Sequence, residues 1–196
     1  MRLLPCGPRA VLAEFATLDE VMAAAAEWRA AHHPGVVEVV PAAATVLVVH
    51  DGRLDPAVLV APTGGEPPAG GPLVEIPVRY EGEDLDEVAA ATGLSVDDVV
   101  AAHAGAAYRV AFCGFMPGFS YLVGLDPRLV LPRRPTPRTR VPRGSVAIAA
   151  GFAAVYPRES PGGWHLLGAT DVPMWDEAAE SPALLPPGTR VRFVAR

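Results

Sequence analysis

The stretch VAIAAGFAAVY, residues 146–156, does most to decide the fold of this chain. Its two apolar runs, residues 146–150 and 153–156, have the length of strands and are separated by Gly151, which favours a turn. Similar short apolar runs, bounded by glycine and proline, occur at residues 108–112, 165–167 and 190–194. Many short strands without helical periodicity favour a closed or nearly closed β-barrel, because closure removes exposed sheet edges.

The part of the chain ahead of these strands mixes strand and helix patterns. Residues 73–80 alternate enough for a strand, and apolar spacing predicts two short helices over residues 85–92 and 96–104. We therefore predict that a single barrel domain, with two helices, covers residues 73–196.

The N-terminal segment has a different pattern. Residues 11–15 predict a strand, and Thr17 with Glu20 forms a capping box that predicts the start of a helix. After the helix come a predicted hairpin and a weaker element that we interpret as a short helix: residues 36–40, 45–49 and 54–60. This β-α-β-β-α order predicts a small α+β domain over residues 1–62.

Between these two patterns lies APTGGEPPAGGP, residues 61–72, with four prolines and four glycines. Such a composition holds no regular element, which makes residues 63–72 the predicted linker between domains. The alternative is a long loop inside one domain.

Charge is distributed unevenly. All 16 basic residues are arginines, against 22 acids, for a net charge of −6. Residues 127–158 contain seven of the arginines and no acid, which leaves nine arginines and 22 acids in the rest of the chain, a net charge of −13. An acidic body with one basic segment argues against nucleic-acid binding. It indicates a local site for a small anion, or for an acidic patch of a partner.

Several other classes are excluded by what the sequence lacks. No run of about 18 apolar residues occurs, so we expect no membrane span. Cys6 and Cys113 form neither a disulfide framework nor a metal-binding spacing, and the first ten residues do not resemble a signal peptide. No GxxxxGK[ST] phosphate loop is present. We expect a cytoplasmic protein that binds neither membrane nor nucleic acid.

The most unusual segment is CGFMPGFSYL, residues 113–122. Its glycines allow a ligand to approach the backbone closely, and its three aromatic residues could form the wall of an apolar cleft: Phe115, Phe119 and Tyr121. The alternative is a tight turn that packs these rings into the barrel core.

Two further segments could bind an anion. PRRPTPRTRVPRGS, residues 132–145, combines arginines with prolines that stiffen the backbone, and guanidinium groups bind carboxylate or phosphate in a two-pronged geometry. SPGGW, residues 160–164, could present backbone N–H groups to an anion. The alternatives are a solvated basic loop and a glycine hairpin turn.

His103 is the best general-base candidate among the five histidines, because it lies on an otherwise apolar helix end just before the first predicted barrel strand. The alternative is a histidine with a purely structural role.

The ordered set of motifs resembles the KipI family, that of the 5-oxoprolinase B subunit, also called allophanate hydrolase subunit 1. The motifs that carry this resemblance are EIPVRY (75–80), DLDEVA (84–89), GFMPGFSYL (114–122), PRRPTPRTRVPRGSVAIA (132–149), YPRESPGGW (156–164) and LLGAT (166–170), together with the His103 helix. The resemblance implies an N-terminal ferredoxin-like α/β domain followed by a C-terminal cyclophilin-like β-barrel.

The resemblance also implies an activity and partners. The B subunit of 5-oxoprolinase pairs directly with the C subunit. Together with the A subunit, the pair forms an ATP-dependent 5-oxoprolinase that opens 5-oxo-L-proline to L-glutamate, with Mg²⁺ carried by ATP. Isolated members of the family are also known as inhibitors of sensor histidine kinases, which is the alternative function. A third, weaker interpretation is a peptidyl-prolyl isomerase.

On this resemblance we assign roles to individual residues. We expect His103 and Arg138 to be catalytic, and Arg133 and Arg143 to bind anionic groups of substrate or ATP. The remaining predicted binding residues line the cleft or donate backbone N–H groups: Phe115, Gly118, Phe119, Tyr121, Ser160, Gly162 and Gly163.

The sequence departs from the family pattern at two places. The family's G-x-Q-T is Gly151-Phe152-Ala153-Ala154 here, and its GRT is Gly168-Ala169-Thr170. Both changes remove polar groups, and we expect them to make the cleft more apolar.

Overall fold

A computed structural model describes residues 1–63 and 71–196 of the chain. Its internal contacts divide the chain into two compact units, residues 1–69 and 70–196. Most of the predicted linker, residues 63–72, coincides with residues 64–70, which lie outside the described residues, so the predicted domain limits stay predictions. Within the described part, no helix is both long and apolar enough to cross a membrane.

The N-terminal unit is one antiparallel sheet with one helix. Its elements are β1 (Arg2–Pro5), β2 (Ala10–Glu14), α1 (Leu18–Ala31), β3 (Val36–Pro41), β4 (Thr45–His50) and a 3₁₀ turn (Pro56–Val58). The strands are ordered β1-β2-β4-β3. The predicted capping box begins α1: the Thr17 hydroxyl accepts the Glu20 N–H at 3.2 Å, and the Glu20 carboxylate accepts the Thr17 N–H at 3.1 Å.

The predicted element order of this unit is wrong at both ends. Strand β1 precedes the predicted first strand; it contains Pro5, which an edge strand tolerates because one side of its backbone is unpaired. The short helix predicted over residues 54–60 is a single 3₁₀ turn that begins at Pro56. The unit is α+β, as predicted, but the second helix of a ferredoxin-like fold is not among its described elements.

Besides a 3₁₀ turn (Pro127–Leu129), the C-terminal unit contains nine strands and two α-helices within the described residues. They are β5 (Leu73–Val78), α2 (Leu85–Thr92), α3 (Val96–Gly105), β6 (Tyr108–Cys113), β7 (Ser120–Val123), β8 (Arg138–Val141), β9 (Ser145–Ala149), β10 (Phe152–Val155), β11 (Ser160–Gly162), β12 (His165–Ala169) and β13 (Arg190–Ala195). Both predicted helices and every predicted strand are present, with ends that shift by one or two residues.

Seven of these strands form a nearly closed barrel, in the order β12-β9-β10-β7-β6-β13-β5. The last two strands run parallel. Arg79, just after β5, and Ala169, at the end of β12, exchange two backbone hydrogen bonds of 2.9 Å, which join the two edges of the sheet. The prediction of a closed or nearly closed barrel is therefore confirmed.

Strands β9 and β10 are buried on both faces. Alternate residues, such as Ile148 and Val155, belong to the large core that includes the helices. The residues between them, such as Ala149 and Ala154, belong to a second, aromatic cluster around Phe119. This burial on both faces explains why the sequence of residues 146–156 is continuously apolar rather than alternating.

Strands β8 and β11 form a separate two-stranded ribbon, in which Arg138 pairs with Gly162 and Val141 with Ser160. The ribbon was not predicted, because its strands are three and four residues long and consist largely of arginine, glycine and proline. The ribbon brings the arginine segment next to the SPGGW segment, so that residues of both can line one site.

Candidate active site

A small cavity of about 90 Å³ lies where the aromatic segment, the arginine segment and the SPGGW segment meet. The lining residues are Phe115, Phe119, Tyr121, Arg133, Tyr156, Pro161, Gly162, Gly163 and Trp164. Six of these nine are residues that the sequence predicted for the site. Three separate motifs thus contribute to one concave surface, which is the arrangement expected of a ligand site.

Phe119 is the centre of the aromatic wall. It is almost fully buried, and four other rings stand nearly edge-on to it with centroid separations of 5.1–5.5 Å. These four rings are Phe115, Tyr121, Tyr156 and Trp164. Edge-to-face contacts of this kind are favourable and directional, so they fix the orientation of the rings that line the cavity.

The turn before β7 shapes the cavity mouth. Gly118 has φ +80°, and a Cβ at that position would lie 2.9 Å from the Trp175 Cβ. Gly118 therefore serves packing beneath the turn and does not line the cavity. Phe115 has φ +67°, a left-handed conformation that is rare for a large side chain, and it is 61% exposed. A strained, exposed aromatic residue at a cavity mouth is consistent with a role in binding.

Arg133 provides the positive charge of the cavity. Burial raises the pKa of Tyr121, and raises that of Tyr156 to about 12, although the nearby charge of Arg133 lowers both. Both hydroxyls therefore keep their protons at neutral pH and can donate hydrogen bonds. The cavity combines one guanidinium, two neutral hydroxyls and apolar walls, a combination suited to a small anion with an apolar body.

Most arginines of the basic segment are not free to bind a ligand. Four of the seven form ion pairs with acids from outside the segment or just beyond its ends: Arg128, Arg134, Arg138 and Arg140. Within the part of the chain that the structure describes, the other three have no carboxylate partner: Arg133, Arg143 and Arg158. Of these three, Arg133 alone lines the aromatic cavity.

Arg138, which we expected to be catalytic, is bound to Asp84. Its guanidinium donates to both carboxylate oxygens, at 2.6 and 2.9 Å, and also to Glu83 at 3.2 Å. Burial alone would raise the pKa of Asp84, but hydrogen bonds from Arg138 and the Leu166 N–H, and the charge of Arg134, hold it below its usual value. Arg138 does not line the cavity, and its position does not support a catalytic role.

The other predicted catalytic residue, His103, is fully enclosed. Its Nδ1 is hydrogen-bonded to the Tyr80 hydroxyl at 2.7 Å, and the ring packs against Phe193 with a centroid separation of 4.6 Å. Burial lowers the pKa of His103 to about 3, so the ring is neutral. It is a core residue without access to solvent, and its position does not support acid/base catalysis.

Two further predicted residues lie away from the cavity. Arg143 borders a different cleft, of about 260 Å³, together with Glu81 and Glu83. Ser160 lies in β11, and its buried hydroxyl oxygen has no hydrogen-bond partner among the described residues. Gly162 and Gly163, by contrast, line the cavity. A Cβ at Gly162 would lie 2.3 Å from the Tyr156 hydroxyl, so only glycine fits there.

The sequence did not identify Tyr156, Pro161, Trp164 or Asp84 as site residues. A signal for two of them was present: Tyr156 ends the continuously apolar stretch at residue 156, and Trp164 follows the two glycines. Asp84 gave no such signal, because an aspartate before a helix normally indicates an N-cap.

Comparison with known proteins assigns the chain to a family. The model of the carboxyltransferase domain, subdomains C and D, matches residues 1–185, and the chain belongs to this family. The B subunit of 5-oxoprolinase from Escherichia coli O157:H7 is 49% identical over 125 residues, which are 62% of this chain and 57% of that protein. The corresponding B subunit from Bacillus subtilis (strain 168) is 43% identical over 125 residues, 62% of this chain and 52% of that protein.

These identities confirm the resemblance to the 5-oxoprolinase B subunit that the ordered motifs indicated. The matches span a little over half the length of these two relatives. Among solved structures, a conserved uncharacterized protein from Pyrococcus horikoshii matches with a TM-score of 0.62 and 33% identity, covering 100% of this chain and 97% of that chain. Its coverage shows that the fold extends over both units.

The two departures from the family pattern lie in structural positions. Phe152, at the variable position, stands edge-on to Tyr121 with a centroid separation of 5.6 Å, and Ala153, at the family's Gln position, is fully buried in the large core. Ala154 is fully buried in the aromatic cluster. Ala169 joins the barrel edges through its backbone.

Proposed function

We propose that this chain is the B subunit of an ATP-dependent 5-oxoprolinase, which with the A and C subunits opens 5-oxo-L-proline to L-glutamate. The observation that carries the proposal is the cavity in which three separate motifs meet around an arginine that has no acid partner among the described residues. Identities of 43–49% to two proteins named as the B subunit of 5-oxoprolinase support it.

The cavity suits the substrate chemically. 5-Oxo-L-proline is a small ring with one carboxylate and one amide oxygen. Its carboxylate would pair with the Arg133 guanidinium, its ring would contact the aromatic wall, and the neutral Tyr121 and Tyr156 hydroxyls would donate to its oxygens. Because an unstrained amide is a poor electrophile, ATP would activate the amide oxygen by phosphorylation, and arginine is suited to stabilise the developing charge.

We propose that other subunits supply most of the ATP-binding site and the general base. A cavity of about 90 Å³ is far too small for a whole nucleoside triphosphate. We propose that the C subunit completes the site for ATP, whose Mg²⁺ arrives with the nucleotide. No histidine or carboxylate of the described residues lines the cavity. Another subunit of the complex would therefore supply the general base.

The proposal extends to fold and location. The N-terminal unit corresponds to a reduced ferredoxin-like fold, in which β1 replaces a missing edge strand, and the barrel corresponds to a cyclophilin-like one. We place the assembly in the cytoplasm, where its substrate and ATP occur together. No observation on the described residues favours the alternative of a histidine-kinase inhibitor.

The test is reconstitution. The chain is co-expressed with candidate A and C subunits, the complex is isolated, and 5-oxoproline-dependent ATP hydrolysis and glutamate formation are measured together. We expect both products in equal amounts only when all three subunits are present. A stable complex that hydrolyses ATP without regard to 5-oxoproline, or the absence of any complex, would contradict the proposal.

A further inference from the structure

We propose that Asp84 is a positioning residue that holds the arginine segment so that Arg133 faces the cavity. The inference rests on the proposed function for the identity of the ligand, but not for the geometry. Two adjacent arginines differ in their contacts: Arg134 pairs with the Asp84 and Glu87 carboxylates, whereas Arg133 lines the cavity.

Asp84 is 1% exposed, and both of its carboxylate oxygens are fully used. Arg134 donates to Oδ1 at 2.5 Å, Arg138 donates to both oxygens, and the Leu166 N–H donates to Oδ2 at 2.7 Å. The two arginines flank the short turn at residues 135–137, and Leu166 lies on β12. One carboxylate therefore fixes both ends of the turn to the barrel.

Asp84 does not make the helix-capping hydrogen bond that its position in the sequence predicts. Asp84 occupies the N-cap position of α2, where an aspartate normally accepts a helix N–H, but its side chain makes no capping bond. A buried charge is costly unless it is paired and hydrogen-bonded. The Asp84 carboxylate therefore accepts hydrogen bonds from the two arginines rather than from the N–H groups of α2.

The backbone on either side of Arg133 is held as well. His165 Nε2–H donates to the Pro132 carbonyl at 2.9 Å, and the Arg134 N–H donates to the Gly163 carbonyl at 2.8 Å. Arg133 thus projects from a short stretch that is anchored before and after it. Asp84 and Glu87 pair with Arg134, whereas the adjacent Arg133 has no carboxylate partner among the described residues and lines the cavity.

The first test uses Asp84→Asn in the reconstituted complex. We expect KM for 5-oxoproline to rise by roughly tenfold to a hundredfold with a much smaller change in kcat, because displacement of a binding group weakens substrate capture. Asp171→Asn is the matched control, since Asp171 also binds an arginine through two bonds but is 84% exposed at the barrel seam. We expect the control to leave KM unchanged.

A double-mutant cycle separates positioning from a merely structural role. If Asp84 acts through Arg133, Asp84→Asn changes KM in the wild-type background but has no further effect on KM in the Arg133→Ala background. Additive effects on KM, or a lower melting temperature with unchanged KM, would overturn the proposal.

If Asp84→Asn does not fold, a KM measurement on Arg134→Gln tests the proposal. If the complex has no 5-oxoprolinase activity, hydrogen exchange tests it. Arg134→Gln leaves Asp84 paired with Arg138, and we expect it to raise KM several-fold although residue 134 does not line the cavity. Hydrogen exchange on the full chain needs no substrate: Arg134→Gln speeds exchange of the residue-134 amide, while amides of β9 and β10 are unchanged. Equal protection of residue 134 in variant and wild type would contradict the positioning role, whereas lack of turnover in the wild type would contradict only the proposed function.

Discussion

The C-terminal unit contains two groups of aromatic rings, each beside a basic side chain, and they differ in access to solvent. Around His103, the rings of Tyr80, Tyr108 and Phe193 leave no exposed surface. Around Phe119, the rings form an open cavity at which Arg133 stays exposed. The first group has the residue with the more obvious catalytic chemistry, and the second has the geometry of a site.

Access to solvent, more than residue type, distinguishes the two groups. A buried base loses its charge, because desolvation penalises the protonated form, whereas a guanidinium at a cavity mouth keeps its charge and can exchange water for a ligand. Arg138 and Arg133 differ in a related way: both are charged, but Arg138 is held by the Asp84 carboxylate, whereas Arg133 lines the cavity. We call a group sealed when it is buried or held by a buried partner, and open when it is exposed. We expect sealed groups to govern stability and open groups to govern binding.

The largest effect on stability is expected for the sealed Arg138. We expect Arg138→Ala to lower the free energy of unfolding by about 3 kcal/mol, because it removes one of two arginines that pair with a buried carboxylate. The measurement is urea unfolding at pH 7. Arg140→Ala is the control on the same strand: its pair with Glu159 is exposed, and we expect a loss below about 1 kcal/mol. Equal losses would erase the distinction between sealed and open arginines.

The sealed His103 should make stability depend on pH. The unfolded chain takes up a proton near pH 6.5, whereas burial lowers the pKa in the folded state to about 3. The stabilisation is complete above pH 6.5 and is lost as the pH falls towards 3. We expect His103→Asn, which keeps a partner for the Tyr80 hydroxyl, to lose about 2 kcal/mol less than the wild type between pH 7 and pH 5. Parallel curves for the two proteins would show that His103 is not sealed.

The smallest effect on stability is expected at the open Phe115. Its ring is 61% exposed, and its backbone is left-handed, so little is lost on truncation. We expect Phe115→Ala to change the free energy of unfolding by less than about 0.5 kcal/mol. Substrate binding should weaken all the same, by roughly threefold to tenfold, because the ring forms part of the cavity mouth. A large loss of stability without any loss of binding would place Phe115 with the sealed residues.

The barrel could be predicted from sequence because its strands are short, largely apolar runs, two of which, within β9 and β10, are continuously apolar. Most of residues 146–156 are buried, with side chains in a core on each face of the sheet, and a run of that kind indicates a strand even without alternation. Strands β8 and β11 could not be predicted, since their few polar and glycine residues carry no periodic pattern. They form because two distant segments meet, which local sequence does not reveal.

The candidate site was predictable in part, for a similar reason. The clustering of aromatic residues and glycines in residues 113–122 and 160–164 is visible in the sequence. The difference between Arg133 and Arg134 is not, because it depends on a carboxylate 50 positions away from Arg134. The enclosure of His103 depends on Phe193, near the other end of the domain. Long-range contacts decide which polar groups are sealed.

The proposed function requires Arg133 to be the anion-binding group of the cavity. The most direct measurement compares Arg133→Ala with Arg158→Ala in the reconstituted complex. Both arginines belong to the basic segment, residues 127–158, and neither has an acid partner among the described residues. We predict that kcat/KM for 5-oxoproline falls roughly a hundredfold in Arg133→Ala, as expected for the loss of a charge-assisted bond, and stays within about twofold in Arg158→Ala. Equal values for the two variants would show that Arg133 is not the anion-binding group.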